Sequence, residues 1–474
     1  MIKLKSILLE GIKENNILDF IKQLIKNTKW EGKLFLVGGA VRDELIGKDI
    51  KDIDLMVNAP NGGIEFSNWI TQKTHTHPPV IFPNFGTAKF NLLGVTHKGM
   101  DLGGIDIEAV MPRKEQYTAG SRKPEVSAGE LADDVQRRDF TVNSLLKDLS
   151  SGEILDLTGM GKDDIRAGII RTPLEPDKIF TDDPLRMLRA IRFAMKYNWK
   201  LPMFMLRGLK KNAPQLQNIS QERIRDELNK MLMTGSPHRA VKLLKVVGLL
   251  KYVIPELIPA IKMTQNKFHN KTVFGHTLDV LSKTDPVLIQ RLMGLFHDIG
   301  KVVTRSVTPT GVHFYGHEYE GSKMVYDIMT RLKYPKELIE PVSQGVKSHM
   351  RLKQGDDTAV NLSDKSLRKF KVEMGDNLEN VLGLIHADNL SHAPGSEMPN
   401  QIDNIRKRLD SLKMDIPKGK PKLPITGDDL QKDLGLKPGP IYSEIMKAVT
   451  EAWYENPQIS KSKAIEIAKK VAGL

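Results

Sequence analysis

No cysteine occurs anywhere in the chain. Disulfides, zinc–thiolate sites and thiol nucleophiles are therefore excluded, and the chain is compatible with a reducing compartment, so a cytoplasmic location is expected. Long apolar runs are missing as well. The greasiest stretch, Leu243 to Ile261, is interrupted by Lys245, Lys251, Pro255 and Pro259. Nothing reads as a bilayer-spanning helix, and no membrane partner is expected. The opening residues, MIKLKSILLEGIKENN, scatter charge where a secretory signal needs an unbroken apolar centre. Internal repeats and low-complexity tracts are also lacking. Acidic residues are the minority: 58 Asp and Glu face 71 Lys and Arg, for a formal charge of +13. That excess suits a polyanionic partner, nucleic acid before others. At 474 residues the chain exceeds what one core organises, so several domains are expected.

What is present begins with LVGGAVRDELIGKDIKDIDLMV, Leu36 to Val57. An apolar strand from Leu34 to Val37 runs into a Gly38-Gly39 turn, then a short amphipathic segment with Arg42 and Asp43. A second apolar strand follows, carrying Asp52 and Asp54. Alternate residues of a strand share a face, so both carboxylates point the same way. Two like charges held that close call for a divalent cation between them and a polyanion. Glycines ahead of a helix let backbone N–H groups approach phosphate without a Cβ in the way. A phosphate cradle beside a carboxylate pair points to metal-assisted nucleotidyl transfer.

Short apolar runs between Gly, Pro and Asn continue to about Leu149, as in a strand-rich α/β unit. A helix is expected over Ile64 to Lys73, and strands over Phe85 to Val95 and Gly104 to Val110. Either Asp106 or Glu108 brings a third carboxylate towards Asp52 and Asp54. His75 and His77 precede a Pro-Pro pair without an acidic neighbour and read as solvated loop residues. Thr118 to Ala128 reads as a loop. In RRDFTVNSLL, Arg137 and Arg138 beside Asp139 offer guanidinium forks to a triphosphate, and Asn143 offers a donor and an acceptor for sugar or phosphate. In FTDDPLRMLRAIRFAMKYNW, Asp183 and Pro184 open a helix. Arg186, Arg189 and Arg192 form one cationic stripe, with Leu185, Leu188 and Ile191 on an adjacent core face. Asn212 to Ile258 reads as helical throughout.

Together these motifs resemble the class II tRNA nucleotidyltransferase (CCA-adding enzyme) and bacterial poly(A) polymerase family. The resemblance implies that Asp52 and Asp54, with Glu108 of the pattern running on to Arg113, Glu115 and Tyr117, are catalytic. Asp52 and Asp54 would hold two Mg²⁺ ions. It further implies nucleotide binding by Gly38, Gly39, Arg42, Asp43, Arg137, Arg138, Asp139 and Asn143. Asp183 and Arg186 would pair with the incoming base, and Arg189 and Arg192 would support the triphosphate. Three departures stand out: Ser144 for the usual Ala, Asp182-Asp183 for Glu-Asp, and Met111-Pro112 ahead of Arg113.

From Phe268 the order His276, His297-Asp298, His317, His349, Asp388 matches the HD phosphohydrolase superfamily, whose ligands converge from separate helices. The resemblance implies a divalent transition metal such as Ni, Mn, Co, Fe or Zn, a phosphate contact from Lys301, and 2′,3′-cyclic phosphodiesterase or phosphatase activity. Ile405 to Lys422 reads as a Lys- and Pro-rich linker before a helical tail that would hold tRNA.

The expected fold is therefore an α/β nucleotidyltransferase head, a mixed sheet with helices, followed by mostly helical neck, body, HD and tail domains. The expected boundaries are an N-terminal helical extension (1–30), head (31–150), neck and body (151–262), HD domain (263–400) and tail (401–474). The favoured function is template-independent addition of CCA to tRNA 3′ ends from CTP and ATP. Poly(A) polymerase, partial CC- or A-addition, and an HD phosphohydrolase with an inactive head are the alternatives. The sequence is silent between monomer and homodimer.

Overall fold

The computed structural model describes residues 12–116, 125–265, 271–353, 356–412 and 422–474. The chain divides into two compact units, Met1–Ser220 with Leu243–Tyr252, and Gln221–Lys242 with Val253–Leu474.

The first unit is built on a seven-stranded mixed sheet. Helix α1 (Ile12–Ile25) precedes it and buries Ile17, Ile21 and Ile25 at helical spacing. The strands are β1 (Leu34–Val37), β2 (Ile53–Val57), β3 (Val80–Phe82), β4 (Thr87–Asn91), β5 (Asp106–Val110), β6 (Leu146–Asp148) and β7 (Ile154–Leu155). Their spatial order is β7-β6-β1-β2-β5-β4-β3. β1 is apolar at every position because it is buried on both faces between β6 and β2. β2 and β5 are a parallel pair inside an otherwise antiparallel sheet. The short helix α2 (Gly39–Leu45) links β1 to β2, and α3 (Gly62–Thr74) follows β2, two residues wider at its start and one at its end than the expected 64–73.

Much of the loop expected over Thr118 to Ala128 lies outside the described residues, as does Tyr117. Its last four residues, Glu125–Ala128, pair with Arg113–Gln116 as a two-stranded ribbon. Helix α4 (Leu131–Gln136) then leads into RRDFTVN, and α5 (Pro176–Asp182) precedes α6 (Leu185–Tyr197), which carries the arginine stripe. Leu185, Leu188 and Ile191 are core, as their spacing predicts, but Arg186 is buried too, at 8 % exposure. Arg189 and Arg192 are half-buried. Residues 212–258 are less continuous than expected: two 3₁₀ segments and three α-helices, the first helix ending at Leu232 and the next beginning at Pro237.

The second unit is almost wholly helical, in keeping with the expected fold class. Its histidine-bearing part comprises α7 (Val273–Lys283), α8 (Leu288–Phe296), α9 (His317–Arg331), α10 (Lys336–Ser348) and α11 (Leu378–Asn389). The expected linker, Ile405 to Lys422, is corrected at its start, while residues 413–421 of it lie outside the described residues. Residues Gln401–Ser411 form a helix that buries Ile402, Ile405 and Leu409, and Asn389 Nδ2 donates to Gln401 Oε1 at 2.8 Å. Three further helices, α12 (Gly427–Leu434), α13 (Pro440–Glu455) and α14 (Lys461–Ala472), enclose a small core of Ile425, Leu430, Ile445, Val449, Ala464 and Ala468. Thr426 and Asp429 form a capping box at the start of α12. Among the described residues no helix is long and apolar enough to cross a membrane.

Candidate active sites

The first site lies where β1 ends and the antiparallel β2 begins. Gly38, at φ +71°, turns the chain from β1 into α2, in a conformation that glycine adopts without a steric cost. A Cβ on Gly38 would lie 3.3 Å from Arg138 Nη1, and one on Gly39 3.2 Å from Arg42 Nη2. The space these glycines leave is thus filled by two guanidinia. Arg42 is buried: its Nε donates to Asp43 Oδ1 at 3.0 Å, and its Nη1 donates to Asn143 Oδ1.

Parallel register sets Asp54 directly beside Glu108, with Asp52 one step outside the strand on the same face. Asp106 shares the face with Glu108 but accepts from Asn91 Nδ2 at 3.2 Å. Lys89, opposite Glu108 on β4, approaches it to 3.2 Å. The Asp54 carboxyl keeps access to solvent, yet protein crowds it closely enough that desolvation, then the charges of Glu108 and Asp52, push its pKa up to about 6. Negative charge that Lys89 and Arg138 only partly offset fits a divalent cation.

Behind the cradle, RRDFTVN forms a network. The buried Asp134 accepts from Arg137 Nε at 2.9 Å and from Arg138 Nε at 3.0 Å. Arg138 Nη1 also donates to the Asn143 carbonyl at 3.1 Å. Asp139 accepts from Asn143 Nδ2 at 2.9 Å and from Arg189 Nε at 2.8 Å. Burial pushes the Asp139 carboxyl up, but the Arg189 guanidinium and the Asn143 amide outweigh it and hold the group below the ordinary carboxylate range. Arg189, expected at the triphosphate, thereby braces α6 against RRDFTVN. Asp183 Oδ1 accepts from Leu185 N at 3.1 Å at the start of α6, and the buried Arg186 keeps Nη1 without a hydrogen-bond partner. Arg192 lies over the Phe193 ring at 4.3 Å. His75 and His77 are exposed, as expected. Asp134 was not foreseen. Its signal was the spacing of an acid three and four residues before two arginines.

The second site gathers all six expected ligands. His276 comes from α7, His297 and Asp298 from the end of α8, His317 from the start of α9, His349 from the end of α10 and Asp388 from α11. All six are buried. His276, His297 and Asp388 form one set whose ligand atoms lie within 4.8 Å of one another, and Asp298, His317 and His349 form another. Asp298 joins them: its carboxylate is 3.2 Å from His297 Nε2 and 3.4 Å from His317 Nε2. His297, His317 and His349 each donate Nδ1–H to a carbonyl three residues back, on Gly294, Phe314 and Val346, at 3.0, 2.8 and 2.6 Å. That fixes the tautomer and leaves the Nε2 lone pairs facing inward, with no hydrogen-bond partner.

Burial and the neighbouring His317 and His297 rings hold His349 well below the usual histidine range, so it is neutral. Burial opposes ionisation of Asp298 and Asp388, yet Lys301 beside the first and Lys353 beside the second hold both carboxyls well below theirs. Buried orphan imidazoles and two carboxylates are a donor set that fits a divalent transition metal. A cavity of about 630 Å³ opens onto them, lined also by Lys301, Lys353 and Tyr315.

Comparison with known proteins places the chain in a family. Residues 34–171 match the Poly A polymerase head domain, 205–261 the probable RNA and SrmB-binding site of polymerase A, and 273–414 the HD domain. The chain is 29 % identical over 447 residues to the CC-adding tRNA nucleotidyltransferase of Thermus thermophilus, covering 91 % of this chain and 92 % of that one. It is 31 % identical over 338 residues to the A-adding tRNA nucleotidyltransferase of Deinococcus radiodurans, covering 68 % of this chain and 75 % of the other. Its fold matches the crystal structure of the Bacillus stearothermophilus CCA-adding enzyme in complex with CTP at a TM-score of 0.65, with 22 % identity, over 97 % of this chain and 98 % of that one. The chain belongs to the tRNA nucleotidyltransferase and poly(A) polymerase family, enzymes of the nucleotidyltransferase type, and carries an HD domain.

Proposed function

We propose that this protein adds C, C and A to tRNA 3′ ends from CTP and ATP, at the Asp52, Asp54 and Glu108 face of the head. The single observation that carries the reading is the register that sets Asp54 beside Glu108 and next to Asp52, in the same head as the Gly38-Gly39 and Arg42 cradle. Asp52 and Asp54 would hold Mg²⁺ ions, which in such sites lower the pKa of an attacking hydroxyl and stabilise charge on the leaving group. Arg42 is fixed on one side by Asp43 and Asn143 and offers its remaining N–H groups to phosphate oxygens. Arg138 stands at Gly38. Asp139, Asn143 and Arg189 keep α6 in place, and Arg186, with Asp183, reads the incoming base. There a carboxylate accepts from an exocyclic amine while a guanidinium donates to a ring nitrogen or carbonyl. A net charge of +13 supports tRNA binding through its backbone and shape. The head, neck and body, HD and tail boundaries given above belong to this reading.

The histidine centre is a second, hydrolytic site for phosphoesters, with 2′,3′-cyclic phosphates first among them. His276, His297, Asp298, His317, His349 and Asp388 would hold a transition metal that activates water. Lys301 and Lys353 line the cavity where phosphate charge would lie.

The test uses the full chain, Mg²⁺, labelled CTP and ATP, and tRNA lacking none, one, two or all three terminal nucleotides. Ordered addition followed by a stop is expected, and long A tails on generic RNA would sink the reading. A second reading, CC-addition alone, is favoured by the 91 % coverage of this chain by the Thermus thermophilus enzyme. It requires that tRNA lacking only the final A stays unextended.

A further inference from the structure

Tyr197 is the last residue of α6, just before Asn198 turns the chain at φ +55°. Nothing assigned so far uses it. Its ring stacks on Phe193 at 5.9 Å with the planes 6° apart, and meets Trp199 at 4.9 Å. Three cations surround it: Arg42 Cζ at 4.8 Å, Lys48 Nζ at 4.8 Å and Lys196 Nζ at 5.0 Å from the ring centre. The phenol hydroxyl donates to Asp43 Oδ1 at 3.0 Å, the oxygen that also accepts from Arg42 Nε. Burial pushes the phenol pKa up, so the hydroxyl remains a donor at any working pH.

The geometry converges on one group. Arg42 has Phe193 and Tyr197 rings against it, Asp43 along one edge and Asn143 on Nη1. Asp43 is only partly buried and would rotate towards solvent unless held. Tyr197 therefore acts on Arg42 twice, through its ring face and through Asp43. With Lys48 and Lys196 alongside, the cluster has more positive than negative charge, which suits an anion and not a base.

We propose that Tyr197 is a positioning residue that holds Arg42 in the orientation that binds the polyphosphate of the incoming nucleotide. The proposal rests on the nucleotidyl-transfer reading for its ligand class. It differs from that reading in what it requires: polyphosphate affinity that depends on Tyr197 and is indifferent to the base.

Equilibrium binding of CTP, ATP and inorganic tripolyphosphate, with Mg²⁺, tests it on the full chain. Tyr197→Phe keeps the ring and loses the bond to Asp43, and should weaken all three ligands by a common factor of about 3 to 5. Tyr197→Leu loses both contacts and should weaken all three by about 10-fold or more. Asp43→Asn combined with Tyr197→Phe should cost less than the sum of the single changes, because the two act on Arg42 in series. A purely structural role would not produce that coupling. Affinities unchanged in Tyr197→Leu with wild-type thermal stability overturn the proposal. So does a loss confined to CTP or to ATP, which would place Tyr197 at the base. If Tyr197→Leu fails to fold, Tyr197→Phe decides alone: additive behaviour with Asp43→Asn overturns it. Wild-type protein that binds all three ligands but extends no tRNA refutes the proposed reaction while leaving this test intact, and wild-type protein that binds none refutes both.

Discussion

At Gly39 any side chain would share space with the Arg42 guanidinium, because a Cβ there lies 3.2 Å from Nη2. Gly39→Ala should therefore displace Arg42 by a few tenths of an ångström and leave the fold intact. The expected outcome is a KM for both nucleotides raised several-fold, with thermal stability changed by less than about 1 kcal/mol; steady-state kinetics and a melting curve check it. A second residue-scale effect concerns Asp139 and Arg189. In the native chain Asp139 has a folded pKa below its unfolded value. Its contribution is fully present above the unfolded pKa of about 3.9 and is lost as pH falls through the folded value. Arg189→Met removes the principal cation from a buried carboxylate and leaves only the weaker influence of Arg186 and the Asn143 amide, so desolvation should raise the folded pKa above the unfolded one. The sign then reverses, and the variant should lose stability as pH rises from about 4 towards 7. At pH 7 the loss should be about 2 kcal/mol, below the cost of breaking a fully buried pair because the Arg189 side chain is 35 % exposed. Denaturant unfolding at several pH values decides; a loss that grows on acidification would refute it. The shared face of Asp52 and Asp54 was legible in the sequence through strand alternation, whereas alternation left Glu108 and Asp106 equivalent and only the family pattern favoured Glu108. Tyr197 was not legible, since its importance comes from Asp43, 154 positions away, which only folding brings near; Asp134 carried a local signal, its spacing to Arg137 and Arg138, that went unread.

Elements were legible where one periodicity dominated. LFLV and IDLMV carry the apolar runs of central strands, and both fold as such. What failed was composition read without period. The charges of IRKRLDSLK suggested a linker, but Ile402, Ile405 and Leu409 recur at helical spacing and are buried. The arginines at every third residue were read as a nucleotide-binding stripe, and their spacing alone did not show that Arg186 is buried among the leucines beside it. Close packing between elements also sets the histidine centre. Gly300 follows Asp298 by two residues, and a Cβ there would lie 2.0 Å from the His317 carbonyl oxygen and 2.5 Å from Gly321 N. Gly300→Ala must push the turn after α8 away from α9, separating His297 and Asp298 from His317. We expect it to lower the bound transition metal, measured by elemental analysis, and to destabilise the second unit by about 1 to 3 kcal/mol. Tight CTP binding should persist, and a variant with full metal content would show that the contact has no bearing on the centre.

On the scale of the whole molecule, the two candidate centres lie in different compact units, each with its own core. Their donor sets differ in kind. The head offers carboxylates in contact with solvent, which suit an exchangeable oxygen-liganded ion. The second unit offers buried imidazoles with preset tautomers, which suit a retained transition metal. The centres should therefore be separable by mutation and by chelation. Asp52→Ala should abolish nucleotide addition and spare phosphoester hydrolysis, and His297→Ala should do the reverse. Brief dialysis against a chelator followed by Mg²⁺ alone should restore addition within minutes. Hydrolysis should fall more slowly, as the buried metal leaves, and should return with Ni, Mn, Co, Fe or Zn but not with Mg²⁺. The measurement pairs labelled nucleotide incorporation with release of phosphate from a 2′,3′-cyclic substrate, on the same protein preparation. If either substitution removed both activities from a folded chain, or Mg²⁺ restored both equally, one shared centre would have to replace two, and the assignment of hydrolysis to the histidines would fall.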